Sequence, residues 1–146
     1  MPLWLKIVLA FLLVIVLVIV GVVGAGVYFW KKHGTEIVGG MQKTMDEAKD
    51  FGEKTDNQGC VDEGAKRYRQ AEGLTELMQS SMFLRACLDA SRETPGFCDA
   101  VPGPLEFTKT AKWRVEQCEK YGMRDKPNCG SLFQQVQQYC EQRGRR

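Results

Sequence analysis

The sequence contains very little histidine: His33 is the only one in a chain of 146 residues. A catalytic Ser-His pair needs an imidazole as its general base, and His33 lies directly after a long apolar segment, outside any predicted folded domain. The acidic residues are numerous, but none falls in a recognisable acid–base motif. The sequence therefore predicts a protein that is not an enzyme.

Closely spaced cysteines are also missing, since no two of the six cysteines are closer than eleven residues. Zinc sites use ligand pairs with about two to four residues between them, or nearby histidines. Thioredoxin-like redox centres use Cys-x-x-Cys. No glycine cluster has the lysine of a phosphate-binding loop. We therefore expect no metal, no cofactor and no small-molecule substrate.

Charge is nearly absent from the start of the chain. Lys6 is the one charged residue in residues 3–30, and none occurs from Ile7 to Trp30. A bilayer core is crossed by about 20 apolar helical residues, so this segment is long enough to span a membrane. The remaining residues, 31–146, carry acidic and basic side chains in near balance, which argues against nucleic acid as the main partner.

A cleaved signal peptide is the alternative for this apolar segment, because Val-Gly-Ala-Gly at residues 23–26 resembles a small-residue cleavage site. However, the uninterrupted apolar run is longer than a typical signal-peptide core. Aromatic residues, which mark the two interfaces of a membrane span, flank it: Trp4, Tyr28, Phe29 and Trp30. We therefore predict a retained transmembrane anchor at residues 1–30.

Two features conflict over the side of the membrane on which the rest of the chain lies. Lys31, Lys32 and Lys43 follow the span, whereas only the amino terminus and Lys6 precede it, so the positive-inside rule weakly favours a cytoplasmic domain. Six cysteines in a small domain favour disulfides in an oxidising compartment. The cysteine content is the stronger signal, and it predicts an inner-membrane protein whose carboxyl-terminal domain is periplasmic.

Residues 31–58 are predicted to form a partly helical stalk. A narrow apolar stripe with helical spacing runs through it: Ile37, Met41, Met45 and Ala48. Gly39 and Gly40 are expected to interrupt the start of this helix, and Gly52 to end it. A short coiled coil or a helix lying on the membrane surface are the alternatives.

Residues 59–146 are predicted to form a small all-α domain of about four helices, because apolar residues recur at helical intervals and no β alternation is convincing. The predicted helices are 59–72, 74–91, 105–121 and 129–142. The second helix has apolar residues on two sides, which is typical of a helix packed between two neighbours.

The third predicted helix has one apolar side, which we expect to face the core: Phe107, Ala111, Val115, Cys118 and Tyr121. Trp113 lies far around the helix from that side. It is expected either to pack against the first or second helix or to be an exposed anchor for a partner protein. On the fourth helix, four glutamines are expected to form a solvated polar face: Gln134, Gln135, Gln137 and Gln138.

The cysteine spacing restricts disulfide pairing. Cys129 and Cys140 share one face of the fourth predicted helix, but they lie about 16 Å apart along its axis. A disulfide needs Cα atoms within about 7 Å, so these two cysteines cannot bond each other. Cys118 ends the third predicted helix and Cys129 begins the fourth, and the turn between them lets the two meet.

Two pairings remain for the other four cysteines. In the first, Cys98 bonds Cys140 across the far end of the same hairpin, and Cys60 bonds Cys87 across the first hairpin. In the second, Cys87 bonds Cys98 and Cys60 bonds Cys140. We favour the first, because the midpoint between Cys60 and Cys87 falls at the predicted turn. Each bridge would contribute about 2–4 kcal/mol of stability to a domain with a thin core.

Gly21 and Ala25 form a small-xxx-small pair inside the apolar segment. Such a pair lets another transmembrane helix approach closely, although glycine is also an ordinary component of membrane helices. Together these patterns predict a non-catalytic single-pass membrane protein that acts as an accessory subunit, scaffold or interaction module, with the lipid bilayer and a membrane protein as partners. The alternatives are a membrane-tethered enzyme or redox factor, and a cytoplasm-facing adaptor with reduced cysteines.

Overall fold

A computed structural model of the chain describes the backbone of residues 3–144 and the side chains of residues 4, 8, 11–28, 31 and 38–143. Over that backbone the structure has no β-strand, only an isolated bridge between residues 56 and 92, and the predicted all-α class is confirmed. The chain divides into two compact units, Met1–Gly40 and Met41–Arg146. The described helices are α1 (Leu3–Gly52), α2 (Asn57–Gln70), α3 (Leu74–Ala90), α4 (Phe107–Lys120) and α5 (Cys129–Gly144).

The first unit consists of the amino-terminal part of α1. The stretch Phe11–Tyr28 is long and apolar enough to cross a membrane, judged by length and composition, and none of its side chains is buried. A signal sequence near the amino terminus would satisfy the same criteria. Of the predicted aromatic flanks, Trp4 and Tyr28 are exposed, whereas Phe29 and Trp30 lie outside the described side chains.

Helix α1 continues through Gly39 and Gly40 without a break. The prediction that this glycine pair interrupts the helix was therefore wrong. Glycine disfavours a helix interior by about 1 kcal/mol relative to alanine, which is a small local cost when helical residues continue on both sides and the residues that follow are packed. Local propensity is a weak prior that tertiary contacts override.

The second unit begins with the last turns of α1, inside the segment predicted as a stalk. Ala48 is fully buried, and the Phe51 and Phe83 rings lie 5.9 Å apart. Glu47 accepts a 2.8 Å hydrogen bond from the Arg67 guanidinium, which also lies over the Phe83 ring. These contacts join the end of α1 to α2 and α3, so part of the predicted stalk belongs to the folded core.

Helices α2 and α3 pack closely on each other. Asp56 caps α2 by accepting a 2.9 Å hydrogen bond from the Gly59 amide, the usual role of an Asp at an N-cap. Gly64 allows the close approach, because a Cβ at this position would lie 3.1 Å from the Leu84 Cβ. Buried apolar side chains of α2 fill this interface: Cys60, Val61, Ala65 and Tyr68.

Helix α3 occupies the centre of the domain, as its two apolar sides predict, since it packs against both α2 and α5. Leu74 and Met78 at its start are nevertheless exposed. The inward residues predicted for α5 are buried as expected: Leu132, Phe133, Val136 and Tyr139.

The inner face predicted for α4 was wrong at three of its five residues, whereas Cys118 is buried and Tyr121 packs against the core as predicted. Phe107 is 76% exposed, Val115 is 58% exposed and Ala111 is exposed as well. Helix α4 turns Trp113 towards α5, where its ring meets Phe133 edge-on with the ring centroids 6.1 Å apart. A tryptophan buries more apolar area than phenylalanine or valine, which favours this rotation over the one that the apolar pattern suggested.

Replacing Gly52 with alanine is expected to destabilise the domain. The added methyl group would lie 2.7 Å from the Cys87 carbonyl oxygen and 2.9 Å from the Ala90 Cβ, and neither atom can move without separating α1 from α3. Overpacking of this kind costs about 1–3 kcal/mol, which denaturant unfolding of the full chain in detergent would measure.

Gly39→Ala is the matched control in the same helix, because nothing lies within 4 Å of a Cβ added there. It is expected to leave stability unchanged or raise it by up to about 1 kcal/mol. Equal effects of the two substitutions would contradict the packing of the end of α1 on α3.

Candidate functional site

The six cysteines lie in three pairs at disulfide distance. The Cα–Cα distances are 5.7 Å for Cys60–Cys87, 5.5 Å for Cys98–Cys140 and 6.0 Å for Cys118–Cys129, and no cysteine is free. This is the first of the two pairings derived from the spacing. The second, which joins Cys87 to Cys98, is not formed.

The Cys98–Cys140 bridge ties the long connection between α3 and α4 to the end of α5. This connection, residues 91–106, contains no helix. Next to the bridge, the Phe97 ring packs edge-on against Tyr139 with the ring centroids 6.2 Å apart. The bridge and this ring contact fix the connection against the helical core.

A cleft of about 480 Å³ lies between the end of α1 and α3, and a second cleft of about 340 Å³ lies between residues 94–101, α2 and α4. We call the second one the aromatic cleft. Phe133 of α5 lies at its base. Trp113 and Tyr121 form the wall contributed by α4, and Phe97 stands on the opposite wall. The three wall side chains are half-buried, so they offer part of their surface to a ligand or partner.

Trp113 is thus neither packed against α2 or α3 nor fully exposed. It rests on α5 through Phe133 and presents its remaining surface to the aromatic cleft. The Tyr121 ring also contacts Phe133, with the ring centroids 5.6 Å apart. The apolar pattern of α4 did not point to this cluster, because Trp113 and Tyr121 were assigned to different sides of the helix.

One end of the aromatic cleft carries a hydrogen-bonded tyrosine. The Tyr121 hydroxyl donates to Asp62 at 2.8 Å and accepts from the Gln58 amide at 2.9 Å. Burial, together with the hydrogen bond and negative charge of Asp62, raises the pKa of Tyr121 to about 12. The hydroxyl therefore stays protonated at neutral pH, which makes it a hydrogen-bonding group and a poor general base.

Gln137 is buried, so the predicted solvated face of four glutamines was wrong at this position. Its side-chain carbonyl accepts from the Arg114 Nε at 2.6 Å, and its amide donates to the Thr110 hydroxyl at 3.2 Å and to the Pro102 carbonyl at 3.5 Å. A buried amide with both ends paired fixes the position of neighbouring segments. The sequence contains a signal for this burial: Gln137 lies four residues after Phe133 and three before Cys140, a spacing that places it on the same face of the helix as both.

A second buried amide, Asn57, was not singled out by the sequence. Its amide donates to the Ser91 hydroxyl at 2.8 Å and to the Tyr139 hydroxyl at 3.1 Å. Its side-chain carbonyl accepts from the Thr94 amide at 2.9 Å. Asn57 therefore links the start of α2, the end of α3 and α5 at one point beside the aromatic cleft.

The other predicted contact residues, Gly21 and Ala25, lie in the first unit and are exposed on α1. No atom lies within 4 Å of a Cβ placed at Gly21. Among the residues that the structure describes, no group of three or more His, Cys, Asp or Glu side chains could hold a metal ion. What the arrangement provides is surface for contact, on the small-residue face of α1 and around the aromatic cleft.

Asp62→Asn is expected to lower the pKa of Tyr121 from about 12, because the amide removes the negative charge that opposes the phenolate. The folded pKa of Tyr121 lies above the ordinary value of about 10. Its contribution to stability is therefore complete below pH 10 and is lost as the pH rises through 12. Titration of the full chain, followed by ultraviolet absorbance of the phenolate, measures the shift. Tyr121→Phe should remove the absorbance step near pH 12. Persistence of that step in the variant would contradict its assignment to Tyr121.

No protein-family model, curated protein sequence or solved structure matches the chain.

Proposed function

We propose that the protein is a single-pass membrane protein whose disulfide-bonded helical domain lies outside the cytoplasm and binds other proteins, as an accessory subunit or scaffold. The observation that carries this proposal is the exposed apolar stretch of α1. None of the side chains of Phe11–Tyr28 is buried within the chain, and leaving a Val, Leu, Ile or Phe side chain in water costs up to about 1.5–3 kcal/mol relative to burying it. A lipid bilayer removes this cost.

The disulfides support an oxidising compartment. All six cysteines are paired, and cytosolic thiols are normally kept reduced. Each bridge is worth about 2–4 kcal/mol, which is large beside the stability of about 5–15 kcal/mol that is usual for a domain. A cytoplasm-facing adaptor with reduced cysteines would lose this contribution, so the periplasmic placement is the better proposal.

A role as a dithiol-exchange factor is less well supported than a structural role for the bridges. Exchange requires that an attacking thiolate reach a sulfur atom. Cys60 and Cys87 have no exposed surface and Cys118 and Cys129 are buried, whereas the Cys98–Cys140 bridge is half-buried. The side chains that do reach the surface near the aromatic cleft offer ring faces, amides and a protonated hydroxyl. These groups favour binding, and Trp113 is a candidate contact there.

Paired reporter fusions at the carboxyl terminus test the placement. A reporter that is active only in an oxidising compartment is expected to be active, and one that fluoresces only in the cytoplasm is expected to be dark. The fusion protein recovered from the membrane should have the mass expected when the apolar segment is retained. Cytoplasmic fluorescence would overturn the periplasmic placement, and a shortened product released from the membrane would overturn the anchor.

The proposed contact of the anchor with another membrane helix is tested by Gly21→Leu combined with Ala25→Leu. Closing the small-residue face should cost about 1–2 kcal/mol of helix association, which is roughly a tenfold loss of co-purified membrane protein after gentle solubilisation. Val23→Leu, on the opposite side of α1, is the matched control and should have no effect. Equal recovery with all variants would leave α1 as a tether only.

A further inference from the structure

An aligned row of apolar side chains faces outward on α4. Phe107, Ala111 and Val115 are spaced by four residues, so they lie one above another on the helix, and Leu105, which is 84% exposed, extends the row before the helix begins. Single exposed apolar residues are ordinary, whereas a contiguous apolar patch indicates a contact surface. We call this row the outer stripe.

The outer stripe is kept at the surface by three contacts that fix the rotation of α4 about its axis. The Cys118–Cys129 bridge joins the end of α4 to the start of α5. Arg114 is tied to the buried Gln137 of α5, and Trp113 packs on Phe133. With the rotation of α4 fixed in this way, Phe107 and Val115 remain exposed.

Positive and negative side chains are separated along one flank of the outer stripe. At 100° per residue, Lys112, Glu116 and Glu119 fall on the same flank, with the positive charge nearer the start of α4 and the negative charges nearer its end. Lys112 lies 3.7 Å from Glu116, and Glu119 lies 3.4 Å from Arg124. Exposed pairs of this kind contribute only about 0–1 kcal/mol, so these charges stay available to a neighbouring molecule.

We infer that a second copy of this chain covers the outer stripe, with its α4 antiparallel to that of the first. In an antiparallel pair the two-fold axis brings the same flank of both copies together, so Lys112 of each copy lies opposite Glu116 of the other. In a parallel pair this flank would face the partner's other flank, and Lys112 and Glu116 would have no such partner. A two-fold axis repeats each contact, which is the form of an isologous dimer. A lipid surface fits less well, because anionic headgroups attract lysine but repel Glu116 and Glu119.

The apolar residues fit the same register. With Lys112 level with Glu116 of the second copy, Val115 lies within about 3 Å, measured along the helix axis, of both Ala111 and Val115 of that copy. The small side chain of Ala111 allows the two helices to approach closely. Leu105 and Phe107 extend the apolar surface towards both ends of the pair. The inference uses only residues of the second unit and does not depend on the proposed membrane placement.

Capture between two differently tagged copies of the full chain, co-expressed and solubilised in mild detergent, tests the inference. Val115→Asp is expected to lower cross-capture about tenfold or more, because two carboxylates would meet in the apolar seam. Val115 is 58% exposed, so the thermal midpoint should stay near that of the parent chain. Leu74→Asp, which changes an apolar residue on α3 that is 71% exposed, is the matched control and should keep full capture.

Charge reversal gives a second, independent test. Lys112→Glu and Glu116→Lys are each expected to weaken cross-capture about fivefold, since each places like charges opposite each other across the two-fold axis. The double variant restores unlike pairs and should recover the parent level. Lys66→Glu, an exposed change on α2, should have no effect.

Three outcomes would overturn the inference. The first is full cross-capture by Val115→Asp. The second is loss of capture only when Gly21 and Ala25 are replaced by leucine, which would place self-association in the apolar segment of α1. The third is failure of the double charge variant to recover capture that both single reversals had weakened. If the stripe binds a different protein and Val115→Asp leaves self-capture unchanged, the inference is overturned as in the first outcome.

Discussion

The Cys118–Cys129 bridge is the constraint on which the aromatic cleft and the exposed side of α4 depend. It joins the end of α4 to the start of α5 and so limits how α4 can rotate about its own axis. Two contacts then select one rotation of α4: the packing of Trp113 on Phe133 and the hydrogen bond from Arg114 to the buried Gln137. In that rotation Trp113 and Tyr121 line the aromatic cleft. The same rotation leaves Phe107 and Val115 exposed. A helix with apolar residues on two sides and one packed neighbour must leave one of those sides available for contact.

The disulfides and the buried amides act at different levels. The three bridges connect segments that are distant in the sequence and stabilise the fold, chiefly by limiting the freedom of the unfolded chain in the usual entropic account. Asn57 and Gln137 set finer detail, because each is hydrogen-bonded to two or more separate segments. An amide left unpaired in a core costs about 1–3 kcal/mol, so alternative arrangements of these segments are disfavoured. This combination fixes the positions of the segments that form the surface of the domain.

Helix α1 belongs to both units, since its apolar stretch lies in the first and its last turns pack in the second. Ala48 and Phe51 share the core with α2 and α3, and Arg67 joins Glu47 to the face of Phe83. The hydrogen bonds from Arg67 lower the pKa of Glu47 and keep it charged at neutral pH. The end of the helix is thus fixed to the domain by burial and by charge.

The sequence alone determined the all-α class and the apolar segment, because these follow from periodicity and composition. It reduced the cysteine pairings to two, and the tertiary structure decided between them. Bonding between Cys129 and Cys140 is excluded by helix geometry before any fold is known. The sequence could not determine the rotation of α4, the burial of Gln137 or the continuity of α1 through Gly39 and Gly40. Each of these depends on which partners are available in three dimensions: Phe133 for Trp113, Arg114 for Gln137, and α3 for the end of α1. Apolar spacing shows that a helix has a face suited to burial, but only the tertiary structure decides which face its neighbours cover, because packing area and hydrogen bonds to those neighbours outweigh local preference.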